Sequence, residues 1–339
     1  MRLNGVTAMV VGLGASGIAA ARFLAARGAQ LVLTDRRSDL DRKLLPPGEV
    51  WVGDDNPAWL DGVGLVVTSP GVPRDAVLLR EAVARGIRVI GEVELAARFI
   101  RAPIAAVTGT NGKSTVTVML GEMLRGDGRS VFVGGNLGTP LIEAAQTAYD
   151  AVDAEISSFQ LEWIEAFRPH VGVHLNLTDD HFDRYRDLED YGRAKARLFE
   201  NQGSGDWAIL NHDDPNVWKL AREVRAQVIG FGLSRPPSKS AIWAAADALE
   251  FAIGDSAGRI SLRHFRLPGR HNLVNAMAAA AAALAMGCPP DPIELGLAAF
   301  QPLAHRMEFV RELGGIRWID DSKGKIGRAS CRERVLRLV

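Results

Sequence analysis

Residues 105–115 read AAVTGTNGKST, and this stretch decides the fold. An apolar run over 104–107 stops at a loop holding Gly109 and Gly112, and Lys113, Ser114 and Thr115 then open a helix that continues over 116–125. A strand, a glycine turn and a helix N-terminus make a phosphate cradle, because backbone N–H groups and the helix dipole face the anion and a lysine neutralises it. The hydroxyl after the lysine, Ser114, is placed for the magnesium ion that accompanies a nucleotide. The longer pattern G-x-x-x-x-G-K-[ST] needs glycine at position 107, where this chain has Val107, so its loop is the shorter G-x-x-G-K-S-T. Gly109, Thr110, Asn111, Gly112, Lys113, Ser114 and Thr115 are therefore the expected phosphate-binding residues.

The chain has 339 residues, enough for two or three domains, with 47% hydrophobic and 24% charged residues as in an ordinary globular protein. Forty basic residues balance forty acidic ones, which leaves no overall basic footprint for nucleic acid or membrane. The two cysteines, Cys288 and Cys331, lack metal-ligand spacing. The start, MRLNGVTAMVVG, has no signal-peptide layout and no run has the length of a membrane span, so the expectation is a cytoplasmic protein.

A second glycine turn lies near the N-terminus. The apolar run 6–11 is followed by Gly12-Leu-Gly14-Ala-Ser-Gly17, a helix to about Arg27, and a strand over 30–34 ending at Asp35. That is the layout of a dinucleotide-binding βαβ unit, with an acidic residue about 20 positions on. The same turn serves any phosphate-bearing ligand, so a nicotinamide dinucleotide and another nucleotide both remain open. Strands over 63–68, ending in Ser69-Pro70-Gly71-Val72, and over 87–91 complete a small domain. A helix over 92–101 leads to the phosphate-loop domain, with strands expected at 103–107, 130–134, 151–156, 171–177, 207–211 and 227–230. Short antiparallel strands are expected over 242–266, and helices over 271–287 and 292–300.

Several polar stretches follow the phosphate loop. Glu155, in EISSFQL, ends an apolar strand and is either a ligand for Mg²⁺ or a solvated strand end. NLTDDHFDRY over 176–185 is dense in polar groups at a strand's carboxyl end, where His181 can ligate a metal through a neutral imidazole. Lys195, in YGRAKAR, reads by itself as an exposed helical lysine. Asn272, in GRHN, is a helix cap or a base-contacting group. Arg306 and Asp321, in HRME and DDSK, can face a nucleotide.

Taken together, GLGASG, SPGV, TGTNGKST, GGNLG, EISSFQLE, NLTDDHFDRY, YGRAKARLF, GRHN, HRME and DDSK, in this order, resemble the muramyl ligases of peptidoglycan synthesis. The resemblance covers residues 1 to about 323 and favours the branch that adds D-glutamate. It implies ATP-driven amide formation between UDP-N-acetylmuramoyl-L-alanine and D-glutamate through an acyl phosphate. It implies that the first glycine turn holds UDP, not NAD, so that Gly14, Ala15, Ser16, Asp35, Arg36, Ser69, Pro70 and Gly71 contact the sugar nucleotide. Asn136 and His181 would lie near the muramoyl part. Lys113, Asn272, Arg306 and Asp321 would contact ATP. Two Mg²⁺ ions, with Mn²⁺ as an alternative, would be held by Ser114, Glu155, His181 and a carbamylated Lys195, and Lys113, His181 and Lys195 would carry the catalysis. A monomer is expected.

The fold expectation is α/β: a Rossmann-like parallel-sheet domain over 1–92, then a P-loop-type central α/β ATPase domain with a small antiparallel sheet over 93–303. Residues 304–323 would start a C-terminal domain that is otherwise absent. Residues 326–335, IGRASCRERV, resemble one reading frame of a common sequencing-adapter oligonucleotide, so 324–339 are expected to be a non-native tail. A chain without the third domain is expected to be weakly active or inactive. The rivals are an NAD-dependent dehydrogenase, which leaves TGTNGKST unexplained, a folate-directed ligase, whose family lacks the GLGASG domain, and a non-catalytic nucleotide-binding module.

Overall fold

Short apolar runs that end in glycine turns build two sheets, one after the other. The computed structural model describes residues 1–301, 308–313 and 316–320. The first sheet is wholly parallel, in the order β3-β2-β1-β4-β5. Its strands are β1 (Thr7–Val11), β2 (Gln30–Asp35), β3 (Glu49–Val52), β4 (Leu65–Thr68) and β5 (Arg88–Gly91), with helices α1 (Ala15–Ala25) and α2 (Val77–Ala84) between them. Strand β3 is not foreseen by the sequence, because EVWV lies at the sheet edge and has no fully buried residue. The strand order turns back at β1, with β2 and β3 on one side and β4 and β5 on the other, and because all are parallel the loops after β1, β2 and β4 meet at one sheet end, where open α/β sheets hold ligands.

Helix α3 (Glu92–Ala97) leads to the second sheet and is shorter than the expected 92–101. The second sheet has nine strands in the order β14-β13-β12-β11-β10-β9-β6-β8-β7. From β6 (Ile104–Thr108) the chain runs through α4 (Lys113–Gly126), β7 (Val131–Gly135), β8 (Ala151–Glu155), α5 (Ser158–Leu161) and β9 (Val171–His174). It continues through α6 (Leu188–Ala196), β10 (Trp207–Asn211), α7 (Pro215–Trp218) and β11 (Gln227–Gly232). The antiparallel strands expected over 242–266 are β13 (Ala248–Ile253) and β14 (Ser256–Ser261). They extend the central sheet through β12 (Ser240–Ala244), which is parallel to β11. Helices α8 (Arg270–Ala285) and α9 (Pro290–Ala299) pack on α4, and a hairpin of β15 (Glu308–Leu313) and β16 (Ile316–Asp320) closes the described residues.

Core packing explains the long alanine run. Ala276 and Ala278–Ala283 of α8 are all fully buried, and small side chains let the helix lie close over β9–β12. Helix α4 begins at Lys113, as expected, because Gly112 adopts a left-handed conformation (φ 85°) that turns the chain into the helix. Strand β9 stops at His174 instead of 177, and the residues released from it hold the phosphate loop. No helix among the described residues is long and apolar enough to cross a membrane.

The two sheets are riveted together by α3. Its Glu94 is fully buried, and one carboxylate oxygen accepts the backbone N–H groups of Glu165, Ala166 and Phe167 at 2.8–2.9 Å. Its Glu92 accepts the N–H of Ile142 at 2.6 Å, at the start of a 3₁₀ turn over Leu141–Ala145. The sequence analysis singles out neither acid, yet both anchor central-domain loops.

Candidate active site

The phosphate loop sits at the carboxyl end of β6, where the chain passes from β8 on one side of that strand to β9 on the other. Its shape is fixed from the side by the segment after β9. The Asn176 side chain accepts the Asn111 N–H at 2.8 Å and donates to the Asn111 carbonyl at 3.0 Å, while the Asn176 carbonyl accepts the Thr110 N–H at 3.0 Å. Thr110 also accepts the N–H of Thr178 on its hydroxyl at 3.1 Å. The loop amides of Thr110 and Asn111 are thus used internally. Helix α4 begins at Lys113, and the N–H groups of a helix's first turn have no preceding turn to supply carbonyls, which suits an anion.

Two lysines close on this loop. Lys113 folds back to donate to the carbonyls of Gly109 (2.9 Å) and Thr110 (3.1 Å). Lys195 of α6 donates to the same Gly109 carbonyl at 2.9 Å, with its ammonium 4.5 Å from the centre of the Tyr191 ring. The sequence alone reads Lys195 as an exposed helical lysine; it is 1% exposed, because α6 lays that face on the phosphate loop. His174, beneath them, is also buried, and neither ring nitrogen has a hydrogen-bonding partner. Burial, then the charges of Lys195 and Lys113, push its pKa down to about 3, so it is neutral.

Glu155 ends β8 and is 3% exposed. Its Oε1 accepts from the Asn136 side chain at 2.7 Å, and its Oε2 is buried with no hydrogen-bonding partner. A buried carboxylate oxygen with an unfilled acceptor beside a phosphate cradle suits a hard cation. Among the described residues no three His, Cys, Asp or Glu side chains converge as a ready metal cage. A cation here would therefore rely on the Ser114 hydroxyl and on ligand oxygens. His181 has a left-handed backbone (φ 55°), and its ring lies 4.9 Å from Phe159 and 5.8 Å from Tyr191, centroid to centroid. Its ring nitrogen is 3.5 Å from Asp180.

The N-terminal sheet end holds a cleft of about 530 Å³ lined by Gly12, Gly14, Ala15, Ser16, Asp35 and Arg36, with Ser69, Pro70, Gly71 and Val72 opposite. Asn136 of the central domain also lines it, so one side chain faces both the cleft and Glu155. Gly17 has to be glycine: a Cβ there would lie 1.9 Å from the Gly12 carbonyl oxygen. Ser69 donates to that oxygen at 2.6 Å, fastening the SPGV turn to the glycine turn. Asp35 accepts the Leu13 N–H at 2.7 Å and pairs with Arg37, a neighbour the sequence reading passed over. Burial alone would raise the Asp35 pKa; the hydrogen bonds from Arg37 and Leu13, with the Arg37 charge, together outweigh it and hold the carboxyl below its usual range. Arg36 pairs with Asp55 at 2.9 Å.

With this geometry in place, the comparisons are specific. A model described as "Mur ligase MurD-like, N-terminal domain" matches residues 6–91, and one described as "Mur ligase middle domain" matches 107–283. The chain belongs to the Mur ligase family. Members of this family are ATP-dependent ligases. The chain is 42% identical to the UDP-N-acetylmuramoylalanine–D-glutamate ligase of Trichlorobacter lovleyi, over 95% of this chain and 74% of that protein. It is 43% identical to the enzyme of the same name from Syntrophus aciditrophicus, over 96% and 74%. In fold it is similar to a UDP-N-acetylmuramate:L-alanyl-gamma-D-glutamyl-meso-diaminopimelate ligase from Neisseria meningitides, with a TM-score of 0.60, 19% identity, and coverage of 88% of this chain and 99% of that one.

Within this ligase fold, the expected residues fall into two groups. Gly109 to Thr115, Glu155, Asn136 and Lys195 gather at the central sheet end, with His181 on the loop beside them. Asn272 does not cap its helix, because Gly269 takes that position and the Asn272 amide returns to the Pro268 carbonyl at 2.7 Å. Arg306, Asp321 and the expected tail 324–339 lie outside the described residues. The sequence reading missed Asn275, which is buried one turn further on and faces Gly112: a Cβ on that glycine would lie 2.4 Å from the Asn275 Oδ1. Nothing in the alanine-rich run around it signals that contact.

Proposed function

We propose that this chain binds UDP-N-acetylmuramoyl-L-alanine and ATP for the ligation of D-glutamate in peptidoglycan synthesis, in the cytoplasm. The observation that carries the proposal is the shared position of Asn136, which lines the N-terminal cleft and donates to Glu155 at the phosphate loop. A sugar nucleotide anchored by its diphosphate at Gly14, Ala15 and Ser16 would extend past Ser69–Gly71 and Asn136 toward the ATP γ-phosphate. Asp35 and Arg36 lie where they can meet the nucleoside end.

A carboxylate resists attack by an amine because its oxygen is a poor leaving group. Transfer of the γ-phosphoryl to the L-alanine carboxylate gives an acyl phosphate. The amine of D-glutamate then attacks its carbonyl, phosphate departs, and the amide forms. Phosphoryl transfer needs positioning and neutralisation of charge. Lys113 and the first-turn amides of α4 supply both for the phosphates, and Asn136 orients Glu155. Ser114 and Glu155 would hold one Mg²⁺ and His181 a second, and magnesium bound there supplies further neutralisation of phosphate charge. Asn272, Arg306 and Asp321 complete the ATP contacts in this reading. Lys195 is assigned a carbamate, formed from its neutral amine and CO₂ with release of a proton. That modification turns a buried cation into an anionic oxygen donor, which suits a lysine crowded by Lys113. The protein is assigned as a monomer.

Titration calorimetry tests the proposal. UDP-N-acetylmuramoyl-L-alanine and magnesium ATP are each expected to bind this chain, and NADH is expected not to displace the sugar nucleotide. Saturable NADH binding with no response to the UDP-sugar would overturn it in favour of a dehydrogenase.

A further inference from the structure

The loop that carries His181 is tied to the far wall of the N-terminal cleft by one side chain. Arg184 is 13% exposed and pairs in a fork with Glu162, itself 3% exposed, through Nε at 3.1 Å and through Nη2. The same Nη2 donates to the carbonyl of Val72 at 3.0 Å, across the boundary between the two sheets. Val72 is the last residue of the SPGV turn, and its side chain packs on Gly12, where a Cβ would lie 2.7 Å from it. On the other side, the Arg184 guanidinium lies 4.5 Å over the Phe159 ring, which also packs on the His181 ring. The N–H groups of Arg184 and Tyr185 both donate to the His181 carbonyl at 3.0 Å, holding the left-handed turn. The Tyr185 hydroxyl completes the anchor by donating to Glu162 at 2.8 Å.

We propose that Arg184 is a positioning residue that couples occupancy of the sugar-nucleotide cleft to the placement of the His181 loop. The proposal rests on the reading of the cleft as a UDP-sugar site. Glu162 holds the guanidinium through Nε and one Nη2 hydrogen, and the other Nη2 hydrogen meets the cleft wall at the Val72 carbonyl. A ligand that fixes the SPGV turn fixes the Val72 carbonyl, and through Arg184 it fixes the turn at His181. The same link makes ordering of the loop favour the ligand, because coupling between two sites is reciprocal.

Amide hydrogen exchange of the whole chain, with and without saturating UDP-N-acetylmuramoyl-L-alanine, tests this. In the parent, the ligand is expected to slow exchange over residues 69–74 and, by about fivefold or more, over 179–186. In Arg184→Gln, at ligand concentrations restored to saturation, 69–74 remains protected and 179–186 exchanges as in the free chain. Arg184→Lys keeps the charge beside Glu162 but not the fork, and is expected to behave like the glutamine variant. Loop protection in either variant equal to that of the parent overturns the bridge. Parent protection at 69–74 alone overturns this proposal and leaves the cleft assignment standing. No parent protection at 69–74 overturns the cleft assignment itself. A merely structural arginine would raise exchange in the free variant and leave the ligand-induced change intact, which also counts against the proposal.

Discussion

Lys113 and Lys195 donate to one acceptor, the carbonyl oxygen of Gly109, each at 2.9 Å. In the unmodified chain two ammonium groups share this oxygen above a neutral His174, and in the proposed carbamylated state Lys113 supplies the positive field at the loop. Such a field is suited to a polyphosphate. Lys113→Ala is therefore expected to weaken ATP binding by about 10–100-fold, the worth of one charge-assisted hydrogen bond to phosphate. Binding of the UDP-sugar is expected to be unchanged. Calorimetry with each ligand checks both halves.

Carbamylation of Lys195 has a direct readout. Incubation with ¹³C-labelled bicarbonate is expected to give a carbamate carbonyl signal in the NMR spectrum, absent from Lys195→Arg. Because the amine must be neutral to attack CO₂, the signal should grow with pH at constant dissolved CO₂. A parent spectrum without the signal removes the carbamate from the proposed metal site.

The phosphate loop was legible because its chemistry is local: two glycines, a lysine and two hydroxyl residues between an apolar strand and a helix. The first glycine turn was legible for the same reason, although its ligand was not. Lys195 was illegible in its own segment, since α6 is a polar helix whose buried face is decided by the loop it covers. Glu92, Glu94 and Arg184 were missed because their partners lie 50 to 112 positions away, at Ile142, Phe167 and Val72, and no sequence period reports such pairs. Strand β3 was missed because an edge strand needs no buried run.

Glu92 gives the joint between the sheets a pH dependence. Burial pushes its pKa up to about 7, with the Ile142 N–H pulling back and Glu143 adding to the rise. The folded chain therefore keeps this proton at pH values where the unfolded chain has lost it. The group favours folding most below about pH 4.5, and that advantage fades as pH rises through about 7. The difference is at most about 3 kcal/mol. Glu92→Gln keeps the acceptor for Ile142 and removes the titration. Denaturant unfolding from pH 4.5 to 8 is expected to show a flatter profile for the variant than for the parent.

Asp153 lies two residues before Glu155 on β8, fully buried, and neither carboxylate oxygen has a hydrogen-bonding partner of good geometry. Burial raises its pKa well above the usual carboxylate range, and the Arg125 charge and Gly121 N–H offset this only in part. An unsatisfied buried carboxyl costs about 1–3 kcal/mol. Asp153→Val, similar in size and apolar, is expected to stabilise the chain by that order at pH 8, with a smaller gain at pH 5. Urea unfolding at the two pH values checks the sign. Loss of stability at both would mean that the carboxyl has a partner in solution.

Gly17 separates the two nucleotide sites. Its missing Cβ leaves room for the Gly12 carbonyl, which would lie 1.9 Å from the added carbon, and the Ser69 hydroxyl would lie 2.7 Å from it. The neighbours in the way include backbone, so α1 must shift away from the turn, at a cost of about 1–3 kcal/mol for such overpacking. That shift displaces Gly14, Ala15 and Ser16, which line the cleft. Gly17→Ala is therefore expected to lower UDP-sugar affinity by about tenfold or more and to leave ATP affinity within about twofold, since the phosphate loop belongs to the other sheet. The opposite pattern, ATP binding lost and UDP-sugar binding kept, would show that the first glycine turn serves the triphosphate, and the two sites would have to be exchanged.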